Sequence, residues 1–133
     1  MATQMQHESN PRMLQHLQEC IQNCLDCAQL CDRCSADCIR MNMAGMTDCI
    51  AACRDCADLC LLDARLMSRE SPLHFKTCAL CAEACDICAP ECDKLVQSLG
   101  KIHDTNLMQQ CADACRKCAQ SCKGMAAMGA TVH

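Results

Sequence analysis

The run CIQNCLDCAQLCDRCSADC, residues 20–38, decides the fold. Its cysteines, Cys20, Cys24, Cys27, Cys31, Cys34 and Cys38, are separated alternately by four and three positions. That rhythm averages about 3.5 residues and lays every sulfur along one stripe of an α-helix. Three further blocks keep the same alternation: Cys49, Cys53, Cys56, Cys60; then Cys78, Cys81, Cys85, Cys88, Cys92; then Cys111, Cys115, Cys118, Cys122. Nineteen cysteines in 133 residues therefore form four helical stripes, in which thiols replace the usual aliphatic seam of a bundle.

Helix boundaries fall between the blocks. Ser9 or Asn10 before Pro11 reads as a cap with proline in the first turn. Gly45 interrupts the pattern, and Thr47 or Asp48 can cap a second helix. Ser71 and Pro72 open a third in the same cap-then-proline manner, Gly100 is placed to close it, and Asp104, Thr105 or Asn106 caps a fourth that ends in the region of Gly124 to Gly129. The expected helices span approximately 11–42, 47–68, 72–98 and 105–125, within a single domain of residues 1–133 whose tails, 1–10 and 126–133, are flexible. Long helices joined by loops of a few residues must run antiparallel. The fold class is all-α, an up-down-up-down four-helix bundle with a cysteine-lined core. Pro90, inside the third stripe, is expected to kink its helix.

Composition limits what else the core can hold. There is no Trp or Tyr and a single Phe, Phe75, so the interior is built from Cys, Met, Leu, Ile and Ala. Extending each stripe by its own rhythm adds Met13, Leu17 and Met41 to the first helix, Met46 and Met67 to the second, His74, Leu95 and Leu99 to the third, and Met108 and Met125 to the fourth. Off the stripe, Ile21, Leu25, Leu30, Ile39, Leu61 and Leu62 are candidates for contacts between copies of the chain. The charged residues, among them Asp32, Arg33, Arg116 and Lys117, fall on outer faces as a solvated surface. A net charge of −4 with interspersed signs offers no nucleic-acid footprint. No apolar run is long enough for a membrane span. The opening MATQMQHESNPRM has neither a basic nor an apolar targeting region, which favours a reducing, cytoplasmic setting with free thiols. Cysteines three or four apart on one rigid helix also cannot easily reach the torsion of a disulfide.

Dense, buried thiols select soft metals: Cu(I), zinc or iron–sulfur clusters. Structural zinc prefers closed tetrahedral sets gathered from loops, and iron–sulfur clusters need loops that wrap a preformed core. Cu(I) is satisfied by two or three sulfurs, and the same sulfurs can bridge to a neighbouring ion. Each Cu(I) replaces one thiol proton, so filling adds no net charge to a low-dielectric interior. A protonated buried Cys is a small hydrophobe, and the metal-free bundle is expected to be folded. A thiol redox carrier would need an exposed, low-pKa cysteine pair, whereas these cysteines sit mid-stripe. No catalytic acid, base or nucleophile arrangement points to an enzyme.

The repeated unit CxxCAxxC, written CLDCAQLC, CRDCADLC, CALCAEAC and CRKCAQSC, and the CxxxC pairs Cys20/Cys24, Cys49/Cys53, Cys81/Cys85 and Cys111/Cys115 resemble the bacterial copper storage proteins, in particular their cytosolic branch. The likeness spans about residues 12 to 126. It implies a homotetramer of four-helix bundles, each storing many Cu(I) ions through all nineteen cysteines, with Met and His near an open end and release to a copper chaperone or small-molecule ligand. On that resemblance the end bearing Cys38, Cys49, Cys92 and Cys111 is the entrance, with Met41, Met43, Met46, Met108 and His103 around it. Met13, His16, Leu17, Met67, His74, Phe75 and Met125 form the closed base. His7 and His133 belong to the tails.

Overall fold

The computed structural model describes residues 11–132, with side chains through residue 129. It contains four helices: α1 Pro11–Met41, α2 Thr47–Ser68, α3 His74–Leu99 and α4 Asn106–Val132. Each helix packs on two neighbours, in the cyclic order α1–α2–α3–α4 and back to α1. The sulfurs give the directions. Cys20 meets Cys122, Cys24 meets Cys118 and Cys27 meets Cys115, so α4 descends as α1 rises. Cys49 meets Cys92, Cys53 meets Cys88, Cys56 meets Cys85 and Cys60 meets Cys81, the same opposition between α2 and α3.

The helix ends depart from their sequence reading in informative ways. Neither Thr47 nor Asp48 caps α2; Met46 holds that position in a right-handed conformation without a side-chain hydrogen bond. The turn before it is made by Asn42 (φ 50°) and Gly45 (φ 86°), so backbone reversal rather than a polar cap starts the helix. At the other end of α2, Glu70 takes φ 53°. Its N–H reaches the Met67 carbonyl at 3.0 Å while the Ser71 N–H reaches Leu66 at 2.9 Å, a Schellman closure with glutamate where glycine is usual.

The third helix begins at His74, not at Pro72; Ser71 Oγ accepts the Leu73 N–H at 3.2 Å within the turn ahead of it. Gly100 stays right-handed, with φ −61°, and continues the helical bonding to Val96 instead of reversing the chain. Asp104 Oδ1 accepts the Asn106 N–H at 2.9 Å, which makes Asp104 the residue that starts α4. That helix runs through Gly124 and Gly129 to Val132, well past the expected end at 125. Pro90 lies inside the unbroken α3 on its exposed side. Ser9 and Asn10 lie outside the described residues.

One core runs the length of the bundle, made of the cysteines, Leu17, Met46, Met67, Leu95, Met108, Met125 and a set of alanines. The alanine of each CxxCAxxC unit is buried: Ala28, Ala57, Ala82 and Ala119. A methyl group there lets adjacent helices approach closely enough for their sulfurs to touch. On the outside, Arg116 bridges Asp93 of α3 at 2.8 Å and Asp113 at 2.9 Å, and Lys123 reaches Asp86 at 2.9 Å. These pairs are about half exposed, so each contributes at most about 1 kcal/mol; the thiol core, not the surface, holds the bundle.

Candidate metal centre

All nineteen cysteines are free and buried. Across the α1/α4 seam, sulfurs lie 3.6 to 3.7 Å apart from Cys20–Cys122 through Cys24–Cys118 and Cys27–Cys115 to Cys31–Cys111. Across α2/α3 the corresponding contacts are 3.7, 3.5, 3.5 and 3.4 Å from Cys49–Cys92 to Cys60–Cys81. The two seams are stitched together by Cys27–Cys56 and Cys60–Cys118 at 3.8 Å, Cys53–Cys111 at 3.9 Å, and Cys31–Cys88 and Cys56–Cys115 at 4.0 Å. Along single helices, the spacing of four brings Cys27–Cys31, Cys49–Cys53 and Cys56–Cys60 to 3.9 Å and Cys118–Cys122 to 3.8 Å. Every one of these separations far exceeds the S–S bond of about 2.05 Å, and each is short enough for one soft cation to touch both sulfurs.

The four-sulfur groups overlap. Ligand atoms within 4.8 Å of one another form the sets Cys24/Cys60/Cys81/Cys118, Cys27/Cys60/Cys85/Cys118, Cys27/Cys31/Cys56/Cys115, Cys31/Cys88/Cys111/Cys115 and Cys34/Cys49/Cys53/Cys92, among others. Cys27, Cys31, Cys60, Cys115 and Cys118 each belong to more than one set. A chain of shared ligands is unsuited to isolated tetrahedral ions and well suited to a cluster in which each thiolate bridges.

Burial pushes every thiol of this column toward its protonated form, and hydrogen bonding then divides them. Cys56 is held down to about 7 because Cys115, then Cys27, Cys31 and Cys60 bond to it, against the opposing effect of burial. Cys38 is pushed up to about 12, first by its bond with Cys34, and Cys81 to about 11, first by its bond with Cys118. Cys85 and Cys88 move well below the ordinary thiol range through bonds led by Cys115 and Cys111 respectively, while Cys31 and Cys60 move well above it through bonds led by Cys111 and Cys118.

One member of the column is not a cysteine. Asp63 is fully buried. Its Oδ1 accepts Thr77 Oγ1 at 2.7 Å and Cys78 Sγ at 3.3 Å, and its Oδ2 accepts Cys122 at 3.6 Å and Cys24 at 3.7 Å. Desolvation raises its pKa, with the Thr77 and Cys78 bonds opposing. The sequence carried a signal for it: position 63 continues the alternation of Cys49, Cys53, Cys56, Cys60 toward Met67. The residue type, ordinarily a surface one, concealed it.

The residues at the two ends sort unevenly. Around Cys38, Cys49, Cys92 and Cys111, Met46 and Met108 are buried core members, Met41 is half-buried, and Met43 and His103 are exposed. At the opposite end, Leu17, Met67, His74 and Met125 are buried, Met13 and Phe75 are half-buried, and His16 is exposed, so His16 is no part of a plug. The His74 and Phe75 rings lie 4.1 Å apart, tilted by 39°. Of the off-stripe apolar residues, Leu25, Ile39, Leu61 and Leu62 are exposed, whereas Ile21 and Leu30 pack against the core. Leu80 and Ile87, which the sequence reading missed, are exposed beside a groove between α2 and α3.

This architecture has close counterparts. Copper storage protein 3 from Bacillus subtilis in its apo form is 38% identical, with a TM-score of 0.70 over 82% of this chain and 97% of that one. The Cu(I)-bound copper storage protein BsCsp3 is 37% identical, with a TM-score of 0.73 over 84% of this chain and 98% of that one. No curated protein matches the chain at a significant level. The profile of the copper storage protein family, however, matches residues 13–127, which takes in all nineteen cysteines. With four in-phase helices, a continuous thiol column and that match, the chain belongs to the copper storage protein family.

Proposed function

We propose that this protein stores Cu(I), holding many ions per chain along the bundle axis through Cys20, Cys24, Cys27, Cys31, Cys34, Cys38, Cys49, Cys53, Cys56, Cys60, Cys78, Cys81, Cys85, Cys88, Cys92, Cys111, Cys115, Cys118 and Cys122. The observation that carries the reading is the overlap of the four-sulfur groups: a thiol shared by two sets bridges ions instead of closing one site. Monovalent copper satisfies that arrangement because one proton leaves for each ion that enters, and the interior stays neutral. Sequestration in a dry thiolate column keeps Cu(I) from redox cycling, which makes storage and detoxification one act.

The role is storage without catalysis, in the cytoplasm. Met46 and Met108, buried at one end beneath Met41, Met43 and His103, form the metal entrance in this reading, since neutral thioether and imidazole donors hold Cu(I) weakly enough to pass it on. A copper chaperone or a small Cu(I) ligand delivers and withdraws the ion there. Exposed Leu80, Ile87, Leu61 and Leu62 support association into a homotetramer. No described helix is long and apolar enough to cross a membrane.

The test is an anaerobic Cu(I) titration of the reduced protein against a competing chelator, with metal and protein counted independently. Uptake continuing well beyond four ions per chain is expected. Saturation at one to four ions, zinc that Cu(I) fails to displace, or the colour of an iron–sulfur cluster in the purified protein would each overturn the reading.

A further inference from the structure

A groove of about 350 Å³ runs between α1 and α4 at the end opposite the methionine-rich entrance. His16 lies on its α1 wall, and Ser121, Gly124, Met125 and Met128 lie on its α4 side. Three of them, His16, Met128 and Met125, carry imidazole or thioether donors at increasing depth. His16 is exposed, Met128 is half-buried, and Met125 is 1% exposed and belongs to the thiol core. On the same two helices, one turn further in, stand Cys20 and Cys122, whose sulfurs are 3.6 Å apart. The wall adjoins the column: the Ser121 hydroxyl donates to the Cys118 carbonyl at 3.1 Å, and Met125 belongs to the same core as the sulfurs. Gly124 borders open space, since a Cβ built there would meet nothing within 4 Å.

We propose that this groove is a second exchange port for Cu(I), in which His16, Met128 and Met125 hold the ion transiently and pass it to Cys20 and Cys122. Imidazole and thioether are neutral donors, so an ion crosses them without proton transfer. At Cys20 or Cys122 a Cu–S bond forms, the S–H bond breaks, and the proton leaves to solvent through the groove; copper stays monovalent throughout. Affinity rises inward from imidazole and thioether to thiolate, which draws the ion from the surface into the column. The end that the sequence presents as a closed base thus has a side opening.

The proposal rests on Cu(I) storage, and its test keeps the two apart. Gly124→Phe fills the groove from an exposed helical position and leaves every sulfur in place, while the double variant His16→Gln/Met128→Leu removes the soft donors and keeps the groove. Both are compared with the unaltered chain and with Met43→Leu/His103→Gln at the other end. Each protein receives one equivalent of Cu(I) anaerobically and is alkylated at short times, and protected cysteines are located by mass spectrometry. In the unaltered chain Cys20 and Cys122 are expected to gain protection early. In both groove variants that protection is expected to slow by about tenfold, while the entrance variant leaves it unchanged. Gly124→Phe should still bind the full complement at equilibrium. Full capacity with identical early protection in all four proteins overturns the port alone. A capacity of only a few ions overturns storage, and the port with it.

Discussion

Asp63 is the residue on which the chemistry of the column is most exposed to test. Because burial raises its folded-state pKa above the ordinary 3.8, the unfolded chain ionises first as pH rises. Between 3.8 and the raised value the folded state binds more protons than the unfolded one, so stability falls with increasing pH across that window and levels off above it. Asp63→Asn should remove this slope. Denaturant unfolding of the reduced, metal-free protein from below pH 3.8 to neutral should show the unaltered chain losing stability relative to the variant; parallel curves would mean that folding does not shift Asp63. Phase placed position 63 inside, composition placed aspartate outside, and phase won, because Thr77 and three thiols supply the hydrogen bonds that a buried carboxyl requires. The cysteines posed no such conflict, since a thiol is at home in a core.

At the scale of the helix, two glycines of α4 make opposite demands. Gly124 has open space where a Cβ would go, whereas a Cβ on Gly129 would fall 2.5 Å from Phe75 Cγ and 2.6 Å from its Cβ. Alanine is favoured over glycine in a helix by about 1 kcal/mol, so Gly124→Ala should stabilise by up to that amount. Gly129→Ala gains the same propensity but must displace the root of an aromatic side chain, a distortion that costs about 1–3 kcal/mol, and should destabilise on balance. Thermal unfolding of the two variants should shift in opposite directions; a stabilised Gly129→Ala would show that α4 does not pack on Phe75. The same pair explains why the end of α4 was not legible. Read alone, two glycines in six residues signal a stop, yet Gly129 is there so that the helix can continue beneath a ring contributed by α3. Likewise, Thr47 and Asp48 look like caps, but Asn42 and Gly45 had already turned the chain, leaving Met46 to start α2 from inside the core. Periodicity is carried by many residues and survives such local effects; a cap depends on one residue and does not.

For the molecule as a whole, the architecture was legible because the cysteine stripe fixed the interior face of each helix and the short loops made consecutive helices antiparallel neighbours. What lay outside that pattern, such as the groove by Met128 or the exposed Leu80 and Ile87, depends on how neighbouring helices leave gaps, which no single stripe encodes. A column of thiols that are mostly protonated when empty couples filling to proton release. Loading in weak buffer should release about one proton for each Cu(I) bound at thiols held above the ordinary range, such as Cys31 and Cys60, and fewer at thiols held below it, such as Cys85 and Cys88; the apparent affinity per ion should weaken by about tenfold for each unit of acidification wherever the displaced proton comes from a neutral thiol. Indicator dye and copper counted together would check this; loading without proton release would mean that the empty column holds thiolates throughout. The overlap of neighbouring sulfur groups carries a different consequence. Ions that share ligands cannot overtake one another, so the store is a single-file queue rather than a pool. With one opening, the last copper in is the first out and the deepest ions age in place. With an opening at each end, the queue becomes a conduit, and old copper leaves in the order it arrived.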